Sequence, residues 1–193
     1  MNESSLSIFR IATTGHRFIS VDVRLSASIR SVLDRIIQEH ANSELHLLCA
    51  LAEGSDQLVA KIALSYPGIK LIVPLPLSEE EYLMGFASDI GRESFYELMP
   101  SAEKVFTLPE QVDHPTAYES LGNYMLDHCE VLLALWNGQY SLRKGGTGEV
   151  VKKALKKEKI IYWIYTSNGN KDREVRGVLQ KDIGDIEVLG FSI

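Results

Sequence analysis

Apolar positions gather in five short runs rich in β-branched side chains, at residues 7–13, 44–51, 70–75, 130–136 and 159–165. Runs of this length without strict polar alternation predict strands buried on both faces. Between them the apolar spacing changes to a helical period. Over residues 23–40, Val23, Ile29, Val32, Leu33, Ile36 and Ile37 fall on one broad face, and Arg30, Asp34 and Arg35 on another. That is the pattern of an amphipathic crossover helix. Residues 55–64, 116–128 and 148–157 supply three more. Strand and helix therefore alternate along the chain, which predicts an α/β architecture: a doubly wound, mostly parallel sheet with helices on both faces. Right-handed crossovers bring every strand-to-helix loop to the same carboxyl edge.

Residues 78–115 depart from simple alternation. Their acidic start, with Gly85 and Gly91 as interruptions, predicts two short helices and then a short strand at 104–108. The segment reads as a helical insertion beside or over the sheet edge, with Asp113-His114-Pro115 opening the next helix. Residues 167–174 read as a polar turn and 188–193 as an edge strand. No internal repeat or low-complexity segment interrupts the 193 residues, so one domain with one sizeable core is expected.

Charge narrows the partners. With 26 Asp plus Glu against 20 Lys plus Arg, the chain lacks the concentrated basic excess that bulk nucleic-acid or anionic-membrane binding requires. No apolar run approaches the roughly 18 residues of a spanning helix, and residues 1–7 lack the basic-then-apolar order of a secretory signal. A cytoplasmic protein without membrane attachment is expected. Cys49 and Cys129 lie within apolar stretches, away from any second ligand at metal-binding spacing, and read as buried free thiols; no metal site is expected.

Three loops carry candidate chemistry. The first, Thr13-Thr14-Gly15-His16-Arg17, offers hydroxyls, a glycine backbone and a two-pronged guanidinium, a composition suited to an anion or to an ordinary strand-to-helix turn. His16 can act as acid or base near neutral pH, or orient a neighbour through a hydrogen bond. In the second, Glu53-Gly54-Ser55-Asp56, Gly54 permits a tight turn and Ser55 or Asp56 can cap the following helix. Glu53 fits either a ribose diol or the holding of its own loop. The third runs from Asn137-Gly138 to Arg143-Lys144-Gly145-Gly146-Thr147-Gly148-Glu149 and into a helix. Backbone amides at such a helix start favour phosphate, and the glycines let the backbone come close. It is neither a P-loop nor a GxGxxG fingerprint. In a doubly wound sheet the strands before loops one and three flank the switch point, so those loops should face each other across one crevice.

TTGHR at 13–17, LAEGSDQLVA at 51–60, LLALWNG at 132–138 and KGGTGEVV at 144–151, together with EYLMGF at 81–86 and the tyrosines 118 and 124, resemble the SLOG superfamily. That group has a Rossmann-like fold and includes DNA-processing protein A and the lysine-decarboxylase-like "Lonely guy" proteins. The resemblance implies a nucleotide or nucleotide-derived ligand and a homo-oligomer, dimer or tetramer; the sequence identifies no further cofactor. The phosphoribohydrolase branch carries PGGxGTxxE; here the proline is absent, Thr147 follows the paired glycines directly, and Glu149 lies two residues beyond it instead of three. Phosphate binding therefore carries over better than hydrolysis.

Two functions follow as expectations. One is a ligand-binding or sensing domain, in which Thr14, Gly15, His16, Arg17, Asn137, Gly138, Lys144, Gly145, Gly146, Thr147, Gly148 and Glu149 line the phosphate side. Glu53, Gly54, Ser55 and Asp56 then line the ribose side, and Tyr82, Phe86 or Tyr118 either stacks on a base or packs in the core. The alternative is a phosphoribohydrolase-like N-glycosidase or related transferase acting on a nucleoside 5′-monophosphate, with Glu53 or Glu149 as the catalytic carboxylate. DNA handling, suggested by the DNA-processing relatives, is disfavoured by the acidic balance. The cluster Lys152, Lys153, Lys156 and Lys157 reads as a solvated helix face.

Overall fold

The computed structural model of the protein describes residues 6–140, 144–169 and 181–190. Arg143 of the third loop, most of the expected polar turn and residues 191–193 lie outside them. Seven strands form one sheet in the order β4-β3-β2-β1-β5-β6-β7. They are β1 (Ser7–Gly15), β2 (Ser43–Leu48), β3 (Ile69–Leu75), β4 (Ala102–Thr107), β5 (Val131–Trp136), β6 (Ile160–Tyr165) and β7 (Ile186–Leu189). All neighbours are parallel except β6 and β7. The order reverses at β1, which pairs with β2 on one side and β5 on the other, as a Rossmann-like doubly wound fold requires.

Among the described residues lie six α-helices, α1 (Val23–Glu39), α2 (Ser55–Ala63), α3 (Glu79–Met84), α4 (Asp89–Leu98), α5 (His114–Asp127) and α6 (Thr147–Lys156), and a 3-10 turn at Met99–Ser101. Right-handed crossovers place α1, α2 and α4 on one face and α5 and α6 on the other. The packing of α1 on α2, α2 on α4, and α5 on α6 agrees. The apolar stripes face inward: Leu25, Ile29, Val32, Leu33 and Ile36 of α1, and Leu121, Met125, Leu126, Val150, Val151 and Ala154 of α5 and α6, join one contiguous core with β5, whose six residues are all buried. The stripes of α5 and α6 are thus spent on the core. Gly122 lets the two helices approach, because a Cβ there would lie 3.0 Å from Val150 Cγ2.

The segment after residue 78 holds the two short helices expected, but the strand that follows is more than an appendage. Ala102–Thr107 pairs in parallel with β3 and becomes the sheet edge, so the insertion contributes to the sheet itself. The exposed Glu103, Lys104 and Val105 break its apolar run, as an edge strand allows. Cys49 and Cys129 are buried free thiols. Among the described residues, no helix is long and apolar enough to cross a membrane.

Candidate functional site

How each helix begins decides what its amides can do. Asp22, Ser78, Ser88 and Asp113 cap α1, α3, α4 and α5 with side-chain oxygens that accept backbone N–H groups. Helices α2 and α6 start instead from Gly54 and Gly146, and neither has a side-chain cap. The expected capping of α2 by Ser55 or Asp56 is therefore not what forms. Loop one covers that end: the Ser55 amide and hydroxyl both donate to the His16 carbonyl, at 3.1 and 2.8 Å. A Cβ on Gly54 would lie 2.1 Å from the Arg17 carbonyl, and one on Gly15 2.3 Å from Ser55 Cβ. Loop two is the seat of loop one, and Gly54 and Ser55 are spent on that contact.

Loops one and three meet across the switch point, as their placement after β1 and β5 demands. The Asn137 amide donates to His16 Nε2 at 3.1 Å, and the His16 amide to the Leu135 carbonyl at 3.2 Å. An accepting Nε2 carries no proton, so His16 acts here as an orienting partner. Asn137 Oδ1 accepts from the Gln139 amide at 3.1 Å and shapes the turn at Gly138, whose φ is +81°. Thr14, between them on β1, is half-buried.

At loop three, Gly145 has φ +68°, and a Cβ there would stand 2.5 Å from Tyr118 Cβ, so α5 packs directly on the glycine. Glu149 reaches back to accept from the Gly145 amide at 2.6 Å and pairs with Lys153 at 3.1 Å. Lys153 and Lys144 in turn meet Glu119, at 2.7 and 3.6 Å. Lys153 beside it holds the Glu119 carboxyl below the ordinary range. The α6 amides of Thr147 and Gly148 are left without a capping side chain.

Glu53 is also occupied. Its Oε2 accepts from the Ala87 amide at 2.8 Å and its Oε1 from the Ser88 hydroxyl, while Arg17 Nη1 donates to the Gly85 carbonyl at 2.8 Å. Gln57 adds a bond to the Gly91 carbonyl at 2.8 Å. The bend between α3 and α4 is thus clasped to loops one and two by the side chains that sequence reasoning places on a ligand. Glu53→Ala should leave the Ala87 amide and the Ser88 hydroxyl without acceptors and cost about 2 kcal/mol. Amide exchange should quicken first at Ala87 and in α4; unchanged exchange there would show that the clasp holds nothing.

Beneath the clasp lies a buried polar cluster for which the local sequence carries no direct signal. Asp56 is only 7 % exposed; its carboxyl is pushed up to about 7 by burial, opposed by the Ala52 amide, the nearby Thr13 hydroxyl and the charge of Arg17. The Thr13 and Tyr82 hydroxyls are buried without a hydrogen-bond partner. Cys49 Sγ, itself buried, donates to the Asp56 carbonyl at 3.4 Å. Of the three candidate stacking aromatics, Tyr82 and Phe86 are buried and pack edge-on with Phe95. Tyr118 is half-buried, 6.1 Å from the Tyr82 ring and 5.9 Å from the Arg17 guanidinium carbon.

No group of three His, Cys, Asp or Glu side chains among the described residues converges as a metal site would require. Compared with known proteins, the chain matches no protein-family model and no curated protein.

Proposed function

We propose that the carboxyl edge at the switch point binds a nucleotide or nucleotide-derived ligand, and that the protein is a ligand-binding or sensing domain of the SLOG type. The observation that carries this reading is the glycine-started, uncapped N-terminus of α6, preceded by Gly145, which packs on Tyr118, the ring that lies near Arg17 of loop one. Its Thr147 and Gly148 amides and the helix dipole suit a phosphate, and the Thr147 hydroxyl adds a donor. Arg17 supplies a guanidinium from the facing wall, and Tyr118 beside it is the aromatic still open to a base. Sensing is favoured over N-glycosidic cleavage because both candidate carboxylates, Glu53 and Glu149, already accept backbone amides of their surroundings.

Gly146→Asp tests the site, and its melting temperature beside wild type shows whether the fold is kept. Gly146 has φ −78° and ψ 157°, which any residue adopts, and aspartate is a preferred cap, worth a few tenths of a kcal/mol over glycine. The same carboxylate would occupy the amides meant for phosphate. Two charges about 4 Å apart repel by about 4 kcal/mol at an effective dielectric near 20. Calorimetric titration with AMP, ADP, ADP-ribose, NAD and cyclic nucleotides should find a ligand for the wild type, with binding at least about a hundredfold weaker in Gly146→Asp. Equal affinity in both proteins would remove the phosphate from α6.

A further inference from the structure

Thr13, Asp56 and Tyr82 form a group that the fold alone does not explain. Thr13 comes from β1, Asp56 from the first turn of α2 and Tyr82 from α3, so three elements bring a carboxyl and two hydroxyls to one buried place at the carboxyl edge. Both hydroxyls lack a partner, at 3 % and 1 % exposure, although valine and phenylalanine would fill the same space without a polar atom to satisfy. The cluster adjoins the phosphate side: the Tyr82 ring contacts Tyr118, which packs on Gly145. Arg17 is the charge felt by both Asp56 and Tyr82, so the cluster is close to electrically balanced and suits a neutral, hydroxyl-rich guest better than a second cation. A carboxyl accepts two hydroxyl donors side by side, while threonine and tyrosine hydroxyls donate or accept as required.

We infer that Thr13, Asp56 and Tyr82 are the subsite for the vicinal diol of the ligand's pentose, reached when α3 lifts from the sheet edge. The inference rests on the nucleotide-binding reading above, narrows the ribose side from Glu53–Asp56 to Asp56, and adds Thr13 and Tyr82 to it. Entry exchanges one contact for another: the Arg17 guanidinium leaves the Gly85 carbonyl, which it now holds at 2.8 Å, for the incoming phosphate. A charge-assisted bond to an anion is the stronger of the two. With that tether released, the Tyr82 hydroxyl turns from a closed interior to the guest.

The test compares AMP with 2′,3′-dideoxy-AMP by calorimetry on wild type, Thr13→Val, Tyr82→Phe, Asp56→Asn and Gly146→Asp. Tyr82→Phe removes a buried hydroxyl without a partner and Thr13→Val one that only neighbours the Asp56 carboxyl, so their melting temperatures, read alongside, should stay close to wild type, and a loss of binding is then not unfolding. Wild type should prefer AMP by about tenfold or more, and Thr13→Val, Tyr82→Phe and Asp56→Asn should each erode that preference while leaving dideoxy-AMP binding unchanged. Equal binding of AMP and dideoxy-AMP to wild type, with both lost in Gly146→Asp, would overturn the diol subsite and leave the phosphate site standing. A preference for AMP that survives within roughly twofold in all three subsite variants would overturn it too. If neither nucleotide binds wild type at about 1 mM, this inference falls, while the nucleotide reading stands or falls with the wider set of ligands titrated above.

Discussion

Gly54→Ala is expected to destabilise the protein by about 3–5 kcal/mol, the largest loss from any single methyl group added at this edge. Two costs combine. At φ +92° an L side chain is strained, and the new Cβ would lie 2.1 Å from the Arg17 carbonyl oxygen and 2.6 Å from its carbon, backbone atoms that cannot rotate away. Gly68 separates the two: its φ is +93°, yet nothing lies within 4 Å of an added Cβ. Gly68→Ala should therefore cost only about 1–2 kcal/mol, the conformational share. Urea unfolding of both variants measures the difference, which is the worth of seating loop one on α2. Equal losses would mean that loop one yields freely, and the preformed wall of the crevice would go with it.

Asp56 should give the protein an unusual pH dependence. Its folded pKa is raised, to about 7, so the sign is opposite to that of an ion-paired carboxylate. Above an unfolded pKa near about 3.9 the unfolded chain has released the proton while the folded chain keeps it. Stability therefore falls as pH rises through this interval, and stops falling once the folded group ionises. Between about pH 5 and about pH 8 the loss should be roughly 3 kcal/mol, at 1.36 kcal/mol per unit of pKa difference. The groups that face Asp56 are Arg17, which favours the anion, and Tyr82 and the Cys49 thiol, whose own ionisation burial and the Asp56 charge oppose. Denaturant titrations of wild type and Asp56→Asn across that range isolate the effect, since every other titrating group is shared. A difference between the two proteins that does not change with pH would show that the carboxyl titrates at its ordinary value.

Much of this architecture is legible in the chain because buried parallel strands announce themselves. β1, β2, β3, β5 and β6 are apolar runs, and their order around the switch point brings loops one and three together, as the Asn137 to His16 bond shows. β4 is less legible as a member of the sheet: with Glu103, Lys104 and Val105 exposed, it has the composition of a surface segment. The roles of the carboxylates are harder still, since they depend on what arrives from elsewhere. Glu53 follows a strand and resembles a ribose ligand, but its partners, Ala87 and Ser88, lie 34 and 35 residues on. Asp56 at a helix start reads as a cap; in the fold it is buried, and Tyr82 of α3, 26 residues on, feels its charge. Glu149 did carry a local signal, four residues after the glycine amide it accepts.

The position of β1 at the centre of the sheet also sets the order in which the site can come into being. On the ribosome, β1, β2 and β3 with α1 and α2 can assemble as soon as they emerge, since their pairings join consecutive strands. The other flank of β1 must wait for β5, some 120 residues later, as the Ile11 to Val131 register shows. Until then a growing chain carries a finished first wall and an open apolar strand side by side. Loop closure over that distance makes the β1–β5 pairing a late and slow event. The two walls of the site accordingly meet only once β5 has emerged, and a chain truncated before β5 would carry loop one without the Leu135 and Asn137 partners of His16.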